Sequence, residues 1–187
     1  MNTAGELKIV FAGPMGAGKT TAIRAISDIA PVSTEVGNTD LTTHTKQLTT
    51  VALDFGQMQL DDGNVVKLYG TPGQERFAFM WEILCAGAIG IVLLVDASRA
   101  DALDNFRVFV TALRRIAPEQ PLVIGVGRGA KADGSHTAPY VAHLASLGIV
   151  APVFSVDVRE RADVLLMIDT LLCQLEARET EDRHVVN

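Results

Sequence analysis

The chain is poor in several things, and each scarcity excludes something. Its 187 residues hold two cysteines, Cys85 and Cys173, both in apolar surroundings. Two thiols do not make a disulfide framework, so the fold must rest on a packed core, with both thiols expected to be buried in a reducing compartment. Basic residues are outnumbered, 16 Lys and Arg against 22 Asp and Glu, for a formal net charge of -6. There is no Lys/Arg run. A phosphodiester backbone needs a basic patch, so no nucleic-acid partner is expected. Long apolar runs are also missing. The longest, residues 83–95, is interrupted by Gly87 and Gly90 and is too short to span a bilayer. The opening MNTAGELKIVFAG has no basic segment followed by an apolar one. Neither a Met-Gly start nor a terminal CaaX box is present, so a cytoplasmic protein with no membrane anchor is expected.

What is there suits one soluble domain. The composition is 48% hydrophobic and 20% charged, enough for a single core over residues 7–176, with a polar tail at 178–187 expected to fray. Residues 7–12 form a short β run ending in glycine. Residues 19–29 carry a helical pattern with Ile23, Ile26 and Ile29 on one face, stopped by Pro31. Residues 32–47 are rich in Thr, Ser, Asn and Gly without a period. They read as a long loop, which in a compact domain is usually functional. Residues 48–60 and 65–69 flank Asp61-Asp62-Gly63-Asn64, a hairpin signal.

Residues 89–95 are almost wholly apolar, as a central strand covered on both faces would be. Helical patterns at 102–117, 139–147 and 161–175 then alternate with strand-like runs at 122–126 and 152–156. This alternation predicts an α/β fold with a mostly parallel six-stranded sheet, one antiparallel strand and helices on both faces.

Chemistry concentrates in two places. Gly13-Pro14-Met15-Gly16-Ala17-Gly18-Lys19-Thr20 matches G-x-x-x-x-G-K-S/T, the P-loop, between a predicted strand and a predicted helix. Its glycines let the backbone turn tightly, so that successive N–H groups and the helix N-terminus face one anion. Lys19 is placed to reach β- and γ-phosphates, the Thr20 hydroxyl to hold Mg2+, and Thr21 to follow in the same turn. The second place is Gly70-Thr71-Pro72-Gly73-Gln74-Glu75-Arg76-Phe77, after the hairpin and before a helix.

That second segment resembles switch II of the Ras and Rab GTPases, whose pattern is D-T-A-G-Q-E-R-F. Residues 50–56 look like the end of switch I and the next strand. With Phe79-Met80-Trp81 and Gly87-Ala88-Ile89-Gly90 downstream, the chain resembles the bacterial MglA and conservon small GTPases, over residues 7–175. The resemblance implies a Ras-like P-loop NTPase that binds GTP or GDP with Mg2+. It implies that Thr50 completes the metal site and senses the γ-phosphate. Thr49 stays open beside it, and Thr42, Thr43 and Thr45 are weaker candidates. It implies that the Gly73 N–H meets the γ-phosphate and that Gln74 orients the attacking water. It also implies a roadblock/LC7-type regulatory partner. Phe77, Phe79, Met80 and Trp81 make an exposed apolar face on the following helix; large apolar residues there usually pack partly inward, and those left outside are expected to form an effector surface.

Three positions depart from the Ras and Rab pattern. Gly70 stands where a metal-linked Asp is expected; Asp96 lies nearby and reads better as a turn cap. Met15 stands beside the γ-phosphate position where Ras has a small residue, which predicts slow hydrolysis. The guanine motif N-K-x-D is replaced by Gly127-Arg128-Gly129-Ala130. Lys131 and Asp133 follow, and Asp133 is a candidate base reader if the loop is shifted; otherwise Asp133 and Gly134 make a turn. Val156, in Ser155-Val156-Asp157, is the candidate backbone contact to the base. Arg76, Arg99, Arg128 and Arg159 are the candidate arginines for transition-state charge. The readings that follow are a GTP-dependent switch, a weakly catalytic nucleotide-binding scaffold, or a P-loop kinase.

Overall fold

The computed structural model describes residues 6–33, 53–129 and 135–185. Among the described residues, seven strands and five α-helices follow one another along the chain. They are β1 (Glu6–Ala12), α1 (Lys19–Ile26), β2 (Val32–Ser33), β3 (Asp54–Gln59), β4 (Val65–Gly70) and α2 (Ala78–Cys85). Then come β5 (Gly90–Asp96), α3 (Ala102–Ile116), β6 (Leu122–Gly127), α4 (Ala138–Ser146), β7 (Val153–Val156) and α5 (Arg161–Val185). The strands form one sheet in the order β2-β3-β4-β1-β5-β6-β7. Only β3 runs against its neighbours; the other pairings are parallel.

Alternation within each central strand explains the two-sided core. On β1, Val10 and Ala12 face a cluster with Trp81, Phe106 and Phe109. Ile9 and Phe11 face the opposite cluster, with Ile23, Val164 and Ile168. The sheet is therefore covered by α2, α3 and α4 on one face and by α1 and α5 on the other, as a near-continuous apolar strand demands. β1 lies between β4 and β5, and the chain crosses over to opposite sides of it. Such a switch point opens a crevice at the carboxyl ends of the strands.

The α/β class, the mostly parallel sheet and the single reversed strand match the sequence reading; β2 adds a two-residue edge strand inside the stretch read as loop. The rest of that loop, and residues 48–52 of the strand expected from 48, lie outside the described residues. The hairpin turn closes as expected, with Asn64 N–H donating to Asp62 Oδ1 at 2.9 Å.

Three expectations are corrected. Ile29 is 39% exposed, because α1 stops at Ile26. Ser27 turns extended there, and its hydroxyl accepts from Gln57 N–H of β3 at 3.1 Å. Cys173 is exposed, and only Cys85 is buried, its thiol pushed up to about 11 by burial. The C-terminal segment expected to fray is helical as far as Val185; no Gly or Pro interrupts it, and its Glu and Arg residues favour helix.

Leu171 of α5 is fully buried and lies over Gly90 of β5. Leu171→Ala is expected to lower stability by about 2–5 kcal/mol, whereas Leu166→Ala, at a half-exposed site on the same helix, should stay within about 0.5 kcal/mol. Urea unfolding of the two variants checks the difference.

Candidate functional site

The site is built where β1 turns into α1. Gly13 has φ +138°, and a Cβ there would lie 2.3 Å from the Leu94 carbonyl oxygen, so only glycine fits. Gly16 and Gly18 also have positive φ. Together they bend residues 13–18 into the concavity that the motif predicts. Lys19, only 8% exposed, donates its ammonium to the Gly13 and Pro14 carbonyls at 2.7 and 2.8 Å. Two of its three N–H groups are thus spent on holding the loop, and the charge faces the cavity it lines. Burial pushes this ammonium down to about 8, against the opposing pull of Asp54.

Asp54 was not singled out from the sequence, although it lies within the segment compared with switch I. It is the first residue of β3 and the register partner of Gly70 on β4. A Cβ on Gly70 would sit 3.0 Å from Asp54 Oδ2. The carboxylate therefore occupies the space that a side chain at position 70 would need. Thr20 donates its hydroxyl to Asp54 Oδ2 at 2.6 Å. The acid missing from position 70 is thus supplied across the antiparallel pair. The available signal was an Asp on the strand opposite an unexpected Gly.

Residues 73–74 lie against the mouth of the P-loop. A Cβ on Gly73 would be 2.5 Å from Met15 N, so this close approach also needs glycine. Gln74 donates its amide to the Met15 sulfur at 3.4 Å. Met15, Lys19, Thr20, Asp54 and Gln74 line one cavity of about 470 Å³. Thr71 borders it too; its buried hydroxyl has no hydrogen-bond partner among the described residues.

The expectation of an exposed face around residues 77–81 is corrected in one respect. Trp81 is 2% exposed, stacked on Phe109 with ring centroids 4.4 Å apart. Its indole N–H donates to the Pro72 carbonyl at 2.9 Å, which ties the segment from Pro72 to Gln74 to the core. Phe79 is exposed, while Phe77 and Met80 are half-buried.

A second cavity of about 510 Å³ opens at the ends of β5, β6 and β7, sharing Gly18, Thr21 and Arg128 with the first. Ala17 and Val156 line it. Asp96 caps the turn after β5, accepting from Ser98 N–H and Oγ at 3.0 and 2.6 Å and from Arg128 at 2.6 Å. These donors hold its carboxyl below the usual range despite burial. Among the candidate arginines, Arg99 is paired with Asp101 and Arg159 with Asp157, the latter holding Asp157 down to about 2. Arg76 lies against the Phe77 ring and borders the phosphate cavity. Thr50, Thr49, Thr42, Thr43, Thr45, Lys131 and Asp133 lie outside the described residues.

A P-loop at a switch point, with a two-part cavity running from phosphate loop to strand ends, defines a nucleotide-binding protein of the Ras-like P-loop NTPase fold. Over residues 30–144 the chain matches the family described as conserved hypothetical ATP binding protein, and it belongs to that family. It is 33% identical over 94 residues to an uncharacterized protein of Methanocaldococcus jannaschii, covering 50% of this chain and 53% of that one. It is 29% identical over 135 residues to the Ras-related protein RAB1BV of Beta vulgaris, covering 71% and 57%. It is 27% identical over 124 residues to the GTP-binding protein ypt2 of Schizosaccharomyces pombe, covering 65% and 56%. The chain thus spans little more than half the length of the curated relatives it matches.

Bound phosphates would restore the charge that burial takes from Lys19. Nucleoside triphosphate binding at pH 8–9 should therefore take up a fraction of a proton, and the uptake should vanish near pH 6, where Lys19 is already charged. Titration calorimetry in buffers of different ionisation enthalpy measures it; heats independent of buffer at pH 8.5 would contradict the low Lys19 value.

Proposed function

We propose that this chain is a small GTP-binding switch of the MglA and conservon type, which hydrolyses GTP slowly and faster with a regulatory partner, for which a roadblock/LC7-type protein is the candidate. The observation that carries this reading is the seating of Gly73 and Gln74 of switch II directly against the P-loop. The Ras-related and GTP-binding names of the relatives favour guanine nucleotide over the ATP of the family description.

Mg2+ fits the residues present. Thr20 and Asp54 already bring a hydroxyl and a carboxylate to 2.6 Å of each other beside the Lys19 charge, and the Thr71 hydroxyl is buried without a partner among the described residues. Thr20 and Asp54 would hold the ion, with Thr50 as the further candidate. The ion would neutralise charge on the β- and γ-phosphate oxygens. The residues do the rest. The loop N–H groups and Lys19 grip the phosphates, the Gly73 N–H meets the γ-phosphate, and Gln74 orients water for in-line attack. Loss of the γ-phosphate removes the Gly73 contact and releases switch II, whose Pro72 carbonyl is tied to Trp81. Trp81 fluorescence is then expected to differ between GDP and a non-hydrolysable GTP analogue.

The contact between Gln74 and Met15 favours a second reading, a nucleotide-binding scaffold with little turnover, since the thioether holds the amide that should place water. Single-turnover hydrolysis with Mg2+ separates the two. On the switch reading, Gln74→Ala slows it by about 10- to 100-fold, the scale of losing one positioned group at the transition state, and Met15→Gly speeds it. Turnover at the background rate in all three proteins, with and without the partner, would leave the scaffold.

A further inference from the structure

The cavity at the ends of β5, β6 and β7 has a size suited to a nucleoside, and a nucleotide with its phosphates on the P-loop must place its base there. Three carboxylates line it, and all three already accept from the protein. Asp96 takes Ser98 and Arg128. Asp157 receives the Arg159 backbone N–H and guanidinium across both oxygens. Asp163 Oδ2 takes the Asp157 N–H at 2.8 Å. Donors, by contrast, are in surplus. Arg128 gives one N–H to Asp96 and has five to give.

The backbone and side chain of Arg128 both mark it. It is the one non-glycine residue with positive φ, +55°, among those described. A side chain held on such a backbone marks a position fixed by its surroundings. Here the holder is the buried Asp96, at 2.6 Å, while the guanidinium side chain stays 67% exposed. Arg128 borders both the phosphate cavity and the base cavity.

We propose that Arg128 is the specificity-determining residue for the base, donating to the O6 and N7 edge of a 6-oxopurine, and that the site does not read the 2-amino group. The proposal rests on the GTP-binding reading above and names its base chemistry. A guanidinium matches the paired acceptors O6 and N7, whereas adenine presents an amino donor at position 6 against it. The edge that carries N1–H and the 2-amino group needs an acceptor, and among the described residues each lining carboxylate already accepts at least one donor from the protein. Hypoxanthine and guanine nucleotides then bind alike, and adenine nucleotides bind more weakly.

The test is competition against a fluorescent mant-GDP probe by GDP, IDP and ADP, on the full chain with Mg2+. GDP and IDP are expected within about threefold of each other and ADP about 10-fold or more weaker. Arg128→Met should bring ADP to within about threefold of GDP, and Arg128→Lys should keep part of the preference. The wild-type ratios stand even if a variant fails to fold. IDP weaker than GDP by about 10-fold or more would mean that a carboxylate reads the 2-amino group, and would overturn the proposal. ADP binding as tightly as GDP in the wild type would also overturn it, while leaving a working nucleotide switch. Absence of binding by any of the three would overturn the GTP-binding reading itself along with it.

Discussion

The turn from β1 into α1 is the constraint on which the rest of the site depends. Gly13 lies so close to the β5 backbone that no side chain fits, and Lys19 closes the loop by donating to the Gly13 and Pro14 carbonyls. The loop is therefore held in shape by the protein's own contacts, which orient its N–H groups. The same turn starts α1, whose Ile23 and Ile26 are anchored in the core. Anion cradle and hydrophobic core are one piece of chain.

Charge in this site is balanced by exchange between elements. Position 70 has no carboxylate, but Asp54, its partner across the β3–β4 pair, puts one against Thr20. The reversed strand makes this possible, because antiparallel register sets the two residues side by side on neighbouring backbones. Asp54 also opposes the desolvation of Lys19. An acid and a base that would each be costly to bury alone lie in one partly closed cavity.

The segment from Pro72 to Gln74 is held from both ends. Its Gly73 abuts the P-loop, and its Pro72 carbonyl is bonded to a tryptophan buried on Phe109 of α3. The position of residues 72–74 is thus linked to packing between α2 and α3. At the other end of the crevice, Arg128 joins the two cavities while Asp96 anchors it. The P-loop, residues 72–74 and the second cavity form a line across the strand ends, with Arg128 and Thr21 lining both cavities.

Much of this was legible in the chain. Apolar runs alternating with helical patterns gave the sheet and its helices, because burial on both faces leaves a near-continuous apolar strand. The G-x-x-x-x-G-K-T spacing marked the phosphate loop, since its backbone conformation needs glycine at fixed places. Tertiary structure decided what depends on neighbours distant in sequence. Asp54 meets Thr20 through strand pairing, Trp81 turns inward to Phe109 and Pro72, and Ile29 is left outside where Ser27 ends α1. Arg128 gains its position from Asp96, 32 residues earlier. Local spacing records backbone conformation and which face is apolar. Which polar groups meet across the ends of a sheet is set by the order of its strands, and no spacing in this sequence carried that order.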